Sequence, residues 1–214
     1  MKSAMLKRVL LFLFVIFSAS SAFAETWVAG TNYKVLTYPV KTSNPSKIEV
    51  VEEFWFGCPH CYHLLDKLDA WEKKLPEDVN FVLSPAVFSG PWKLDAHMFY
   101  TLEALGIEKK MHHIVFDALV RDRINLSNEE DMANFFANYG VSKTKFRNAF
   151  NSFGVGVKLD QAAKRARAYR ITGVPTLVVN GKYTVTVSEA GSEENLFKIV
   201  DYLIQKERMA KSIK

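Results

Sequence analysis

A strand-forming run leads almost directly into a pair of cysteines at the start of a helix, and this constrains the chain more than any other feature. Ile48 to Phe56 reads IEVVEEFWF, rich in β-branched and aromatic residues, the pattern of a strand buried on both faces, interrupted by Glu52 and Glu53. One glycine later come Cys58-Pro59-His60-Cys61. Leu64, Leu68, Trp71 and Leu75 then recur on one helical face, and Pro76 is expected to end the helix. This is a β/α unit, the start of a sheet with helices packed on it.

The cysteine spacing has chemical meaning. Two cysteines one helical turn apart can close a disulfide across the turn. Cys58 falls at the helix N-terminus, where unpaired N–H groups and the helix dipole favour negative charge, so a thiolate there is stabilised. Pro59 suits the first turn, because its missing N–H would have been an orphan. His60 adds a donor and, at lower pH, a positive charge beside the sulfur. A stabilised thiolate favours the dithiol, which makes the disulfide a good oxidant of other thiols. From the residues alone three rival readings stay open. The pair could be an inert bridge, though its two-residue loop would restrain the unfolded chain little. It could be half a zinc site with His60 and His63, though no second cysteine pair exists. Or the spacing could be chance.

The rest of the chain repeats the strand and helix pattern. Glu25 to Ser46 reads as an arm with a short strand near Tyr33 to Leu36, and Val79 to Leu83 as a second strand closed by Pro85. Helical stripes follow at Leu94, Met98, Leu102 and Leu105, then at Met111, Val115, Leu119 and Val120. Ser127 with Glu130 forms a capping-box pattern ahead of Met132, Phe135, Phe136 and Tyr139. Phe146, Ala149, Phe150 and Phe153 mark a helix after Ser142, and these stripes are expected in the core. Leu159 to Tyr169 is a further helix. Its basic stretch, Lys164-Arg165-Ala166-Arg167 with Arg170, is read as a solvated face. Asn180-Gly181 is a two-residue hairpin signal between Leu177–Val179 and the return strand Lys182–Val187. Leu196, Ile199, Val200, Leu203 and Ile204 form an amphipathic closing helix. The order predicts an α/β (α+β) chain: one mixed sheet with a helical lobe inserted.

Val174-Pro175 stands directly before a strand. Proline is tolerated at a strand's start, where a cis bond would expose the Val174 backbone for pairing with an extended peptide. The isomer is not legible from sequence.

At the N-terminus, Lys2, Lys7 and Arg8 precede VLLFLFVIF and a serine-rich stretch ending Ala22-Phe23-Ala24, the form of a secretory signal peptide cleaved after Ala24. Its apolar run is too short for a membrane span, which takes about 20 residues. Of the chain's 28 basic side chains three lie in this leader, leaving 25 against 23 acidic ones, a balance of +2 that argues for no nucleic-acid partner. Export places the two cysteines where disulfides persist.

With these residues in view, the chain resembles the DsbA family of the thioredoxin superfamily. The resemblance is carried by the leader, by FWFGCPHCYHL around Cys58 to Leu64, and by ITGVPTLVVNGKY from Ile171 to Tyr183. It implies a thioredoxin-like fold with an inserted helical domain: a thioredoxin-like part over 25–87, the insertion over 88–160 and the second thioredoxin-like part over 161–214. It implies a periplasmic protein-disulfide oxidase. Cys58 would be the exposed reactive sulfur and Cys61 its buried partner, with Pro59 and His60 tuning the thiolate. Pro175 would be a cis-proline facing the disulfide, with Val174 offering backbone contacts to substrate. Glu52 matches the family's buried acid, able to relay the proton of Cys61. Some members pair that acid with a lysine in the neighbouring strand, whereas Val79 to Leu83 holds none. The resemblance implies no cofactor or metal beyond the redox-active disulfide. Its partners would be folding secreted proteins with free thiols and a DsbB-like, quinone-linked membrane oxidase, and the protein would act as a monomer. His63, His97, His112 and His113 are expected to be surface or helix-packing residues. Alternatives are a disulfide isomerase or reductase, although the 33 residues between Ala24 and Cys58 are too few for an N-terminal dimerisation domain, and a non-enzymatic binding or chaperone module on the same fold.

Overall fold

The computed structural model describes residues 26–212. The leader read over 1–24 and its cleavage site lie outside the described residues. Five strands form one sheet there: β1 (Lys34–Val35), β2 (Ile48–Phe54), β3 (Val79–Pro85), β4 (Thr176–Val179) and β5 (Tyr183–Thr186). Their order is β1-β5-β4-β2-β3; β2 and β3 run parallel, and the other neighbours are antiparallel. The helices are α1 (Pro59–Glu72), α2 (Pro91–Ala104), α3 (Glu108–Phe116), α4 (Glu129–Ala137), α5 (Lys143–Phe150), α6 (Phe153–Ala168), α7 (Val187–Ala190) and α8 (Glu193–Ser212). A π-helical turn, Asp117–Arg121, continues α3.

β2 lies inside the sheet between β4 and β3 and is buried at all seven positions, its three glutamates Glu49, Glu52 and Glu53 included. Val50 shares a core with Leu64, Leu68 and Trp71 of α1 and with Leu196, Ile199 and Leu203 of α8. Val51 packs on the other face with Val178, Ala166, Tyr169 and Ile171. Phe54 and Phe56 lead into a third cluster filled by Met98, Leu102, Val115, Phe116, Met132, Phe136 and Phe146 from the helices between β3 and β4. Each such side chain contributes about 1.5–3 kcal/mol on burial. The cysteine segment is thus clamped between the sheet and the helical lobe.

The hairpin signal is realised. Asn180 and Gly181 both have positive φ, 49° and 63°, and a Cβ on Gly181 would come 2.0 Å from the Val40 carbonyl oxygen. Glycine is therefore required there by both conformation and space.

Several local expectations are corrected. α1 ends at Glu72, before Pro76. The cap of α4 is Asn128, which accepts the Asp131 N–H at 2.9 Å, in place of Ser127 with Glu130. The capping box that forms is Thr186 with Glu189, so Val187 opens α7 instead of extending the return strand. Ser142 does cap α5, but Ser152 caps a new helix, α6, that begins at Phe153. Phe153, at the first position of that new axis, faces outward and is 87% exposed instead of lying in the core. Arg165 leaves the solvated face assigned to its basic stretch: its guanidinium donates to Ser84 Oγ (2.8 Å from Nη2) and to the Tyr100 hydroxyl (3.2 Å), and Nε lies 3.8 Å from Glu53. The completely buried Glu53 accepts from Ser84 Oγ at 2.8 Å. A carboxyl buried in a sheet needs such partners: β3 supplies the hydrogen bond from Ser84 and α6 the nearby Arg165 cation, while Oε2 is left without a hydrogen-bond partner.

Candidate active site

The antiparallel pairing of β2 and β4 builds the site. Glu53 sits opposite Thr176, so the end of β2 lies beside the start of β4. The chain leaving β2 turns into α1 at Cys58, and the chain entering β4 passes through Val174 and Pro175. Residues distant in sequence therefore meet at one corner of the sheet. The Val174-Pro175 bond is cis, and the Val174 carbonyl oxygen stands 3.6 Å from Cys58 Sγ.

Cys58 is the N-cap of α1, with φ −89° and ψ 115°, and Pro59 opens the first turn. Its N–H donates to the Trp55 carbonyl at 2.9 Å, and its Sγ accepts the Cys61 N–H at 3.4 Å. The two sulfurs are not bonded to each other; Cys61 is 1% exposed, and Cys58, expected to be the exposed sulfur, is only 6% exposed, lying under the packing of α1 and the Val174 segment. Pro59 and His60 are exposed beside them.

The two sulfurs differ sharply in acidity. A hydrogen bond from the Cys61 thiol holds Cys58 down at about 6 against the opposing effect of burial, and the N–H groups of Cys61 and His60 and the His60 imidazole help. Burial pushes the Cys61 thiol far up, and its bond to Cys58 and the Glu52 charge push it further. Glu52 is 1% exposed and pushed up to about 8, first by burial and then by the negative charges of Cys58, Glu53 and Asp69. Its Oε2 has no hydrogen-bond partner in the protein. Leu83 is its register partner in β3, so no cation sits opposite it. Chemically, the arrangement offers one stabilised thiolate, one thiol that holds its proton, and a buried carboxyl that is largely protonated at neutral pH.

Of the remaining histidines His63 is exposed and the other three pack. His97 Nε2–H donates to the Phe150 carbonyl (2.7 Å), and its ring stacks on the Phe150 ring. His112 is buried among Phe54, Phe56 and Phe116 with Glu108 at 2.9 Å, and His113 meets Asp69 at 3.0 Å. Among the described residues no group of three or more His, Cys, Asp or Glu side chains is placed to hold a metal ion. Nor is any helix there long and apolar enough to cross a membrane. Sequence reasoning passed over Trp55, whose carbonyl anchors Cys58; the only hint was its place three residues before the first cysteine.

A family model described as a DSBA-like thioredoxin domain matches residues 93–200. The thiol:disulfide interchange protein DsbA of Pseudomonas aeruginosa is 47% identical over 190 residues, covering 89% of this chain and 90% of that protein. The chain belongs to the DsbA family. Solved structures of the family agree. A crystal structure of Pseudomonas aeruginosa DsbA superposes with a TM-score of 0.85 at 47% identity, over 88% of this chain and 98% of that one. DsbA from Xylella fastidiosa gives 0.80 at 36% identity, over 86% and 98%. The mixed sheet with inserted helices is therefore the thioredoxin-like architecture of DsbA proteins, and the protein is a thiol:disulfide oxidoreductase.

Proposed function

We propose that Cys58 and Cys61 are the redox pair of a periplasmic dithiol oxidase that oxidises folding exported proteins. A substrate thiolate attacks Cys58 Sγ and breaks the Cys58–Cys61 bond, and Cys61 leaves with the electron pair and takes up a proton. A second substrate thiolate then attacks the substrate sulfur of the mixed disulfide. The substrate leaves as a disulfide, two electrons stay on the pair, and Cys58 departs as a thiolate.

The observation that carries this reading is the split in acidity across one helical turn: Cys58 near 6, Cys61 far above the ordinary thiol range. A good leaving group at Cys58 drives release of oxidised substrate. In this reading Pro59 and His60 tune Cys58, and Glu52 carries the proton of Cys61. Val174, next to Pro175, offers its backbone to an extended substrate chain, supported by the 3.6 Å approach of its carbonyl to Cys58. The pair is the protein's redox group, with no further cofactor. A DsbB-like, quinone-linked membrane oxidase would take the electrons back. The leader supports export with cleavage after Ala24, and we take the working unit to be a monomer. We divide the mature chain at 25–87, 88–160 and 161–214; α6 runs across the last boundary.

The test is the redox equilibrium of the pair in glutathione buffers, with the Cys58 thiolate titrated by ultraviolet absorbance. A pair that stays reduced in mildly oxidising buffer, with a thiolate persisting below neutral pH, supports the oxidase. A pair as hard to reduce as a structural bridge, with an ordinary thiol acidity, sinks it. Loss of oxidase activity in Cys58→Ser separates an enzyme from a binding module, which would keep its activity.

A further inference from the structure

We propose that Asp95, on the inserted helix α2, is a positioning residue for the redox site, acting through the indole of Trp55 to hold Cys58 at the α1 N-terminus. Three observations converge on Trp55. Its Nε1–H donates to Asp95 Oδ2 at 2.7 Å, and Asp95 is 7% exposed. Its ring stacks on Trp92, also on α2, with centroids 4.4 Å apart and planes 14° from parallel. A Cβ built on Gly57 would lie 2.3 Å from the ring, so the turn preceding Cys58 is laid directly against the indole.

The backbone of the same residue reaches both sulfur-bearing residues. The Trp55 carbonyl accepts the Cys58 N–H, and a Trp55 backbone hydrogen bond lowers the Cys61 thiol against its burial. The indole is therefore a template. One edge is fixed by α2, one face is covered by Trp92, and the cysteine turn rests on the remaining side. The cap bond from the Cys61 N–H to Cys58 Sγ requires Cys58 to keep its extended N-cap conformation. If the indole shifts, the turn loses its seat and the thiolate loses part of that stabilisation. Burial pushes Asp95 up to about 7, with the Trp55 bond opposing. A carboxyl or carboxylate oxygen accepts in either protonation state, so the contact survives across neutral pH.

The inference rests on Cys58 being the ionised sulfur of the pair, and the experiment separates the two. The Cys58 thiolate is titrated by ultraviolet absorbance, and the glutathione equilibrium is measured, in the wild-type protein and in Asp95→Leu, Asp95→Asn and Trp55→Phe. Asp95→Asn keeps an acceptor oxygen. Trp55→Phe keeps a smaller aromatic ring, removes the N–H donor together with part of the surface under the turn, and serves if Asp95→Leu does not fold. The expected result is a thiolate midpoint raised by about half a pH unit or more in Asp95→Leu and Trp55→Phe. The glutathione equilibrium should move about threefold or more toward the disulfide, while Asp95→Asn stays within about twofold of wild type. Unchanged midpoints and equilibria in both Asp95→Leu and Trp55→Phe, whatever happens to melting temperature, overturn the positioning role alone. A wild-type Cys58 that does not ionise below neutral pH overturns both the inference and the assignment beneath it.

Discussion

The sulfur of Cys58 lies 3.6 Å from the carbonyl oxygen of Val174, although 116 positions separate them in the chain. The contact exists because β2 and β4 are antiparallel neighbours, which sets the exit of one beside the entrance of the other. An extended peptide pairing with the Val174 backbone would bring its own sulfur within reach of Cys58. Chemistry and recognition would then be held by two elements of one sheet.

The acidity of Cys58 sets a pH profile for its reactivity. Only the thiolate attacks an alkylating reagent, so the rate should rise through about pH 6 and level off above it. Cys61, pushed far up by burial, should stay unmodified across the same range. Iodoacetamide labelling followed by peptide mass spectrometry checks this. A midpoint near 8.5, that of an ordinary free thiol, would contradict it.

Glu52 should make the reduced protein less stable as pH rises. Its carboxyl is raised from 4.5 to about 8 in the folded state, so between those values the folded chain binds more protons than the unfolded one. Its penalty is absent below pH 4.5 and grows until about pH 8. Glu52→Gln should therefore be the more stable protein at pH 7, by about 3 kcal/mol, with the gain vanishing toward pH 4.5. Urea unfolding of both proteins at pH 5 and pH 7.5 measures the difference. Equal pH slopes would remove Glu52 from the account.

Arg165 ties α6 to β2, β3 and α2 through Ser84, Glu53 and Tyr100. Burial pushes Glu53 up to about 7 against Ser84 and Arg165; Arg165→Met removes that cation and the donor to Ser84 and Tyr100, and should cost about 1–3 kcal/mol. Adding Glu53→Gln should recover part of that loss above about pH 7, where ionising the buried carboxyl costs most. A double-mutant cycle by chemical denaturation reads the coupling. Strict additivity of the two substitutions would mean that the pair does not interact.

Gly57 is held to hydrogen by the indole of Trp55. Gly57→Ala must displace an aromatic ring clamped by Asp95 and Trp92, and should destabilise the protein by about 1–3 kcal/mol. Thermal unfolding measures the cost, and Trp55 fluorescence should change with it. A neutral substitution would show that the ring is free to move.

The sequence by itself determined what depends on near neighbours. A buried strand, a cysteine at a helix N-cap, proline in the first turn and the Asn180-Gly181 hairpin each follow from residues a few positions apart, where steric and hydrogen-bond rules are local. The candidate residues Cys58, Cys61, Val174 and Pro175 were legible in the same way, as types at telling spacings, whereas Glu52 was named only through the family resemblance. Their meeting was not. Tertiary structure decided that Val174 faces Cys58, that Leu83 stands opposite Glu52, that Arg165 turns inward to a buried carboxylate and that Phe153 turns out to solvent. It also joined Trp55 to Asp95, 40 positions away. A helical residue has no inside until another element packs against it. A buried polar group is satisfied by whichever donor the fold brings near, so both outcomes depend on contacts that only the assembled sheet and helical lobe create.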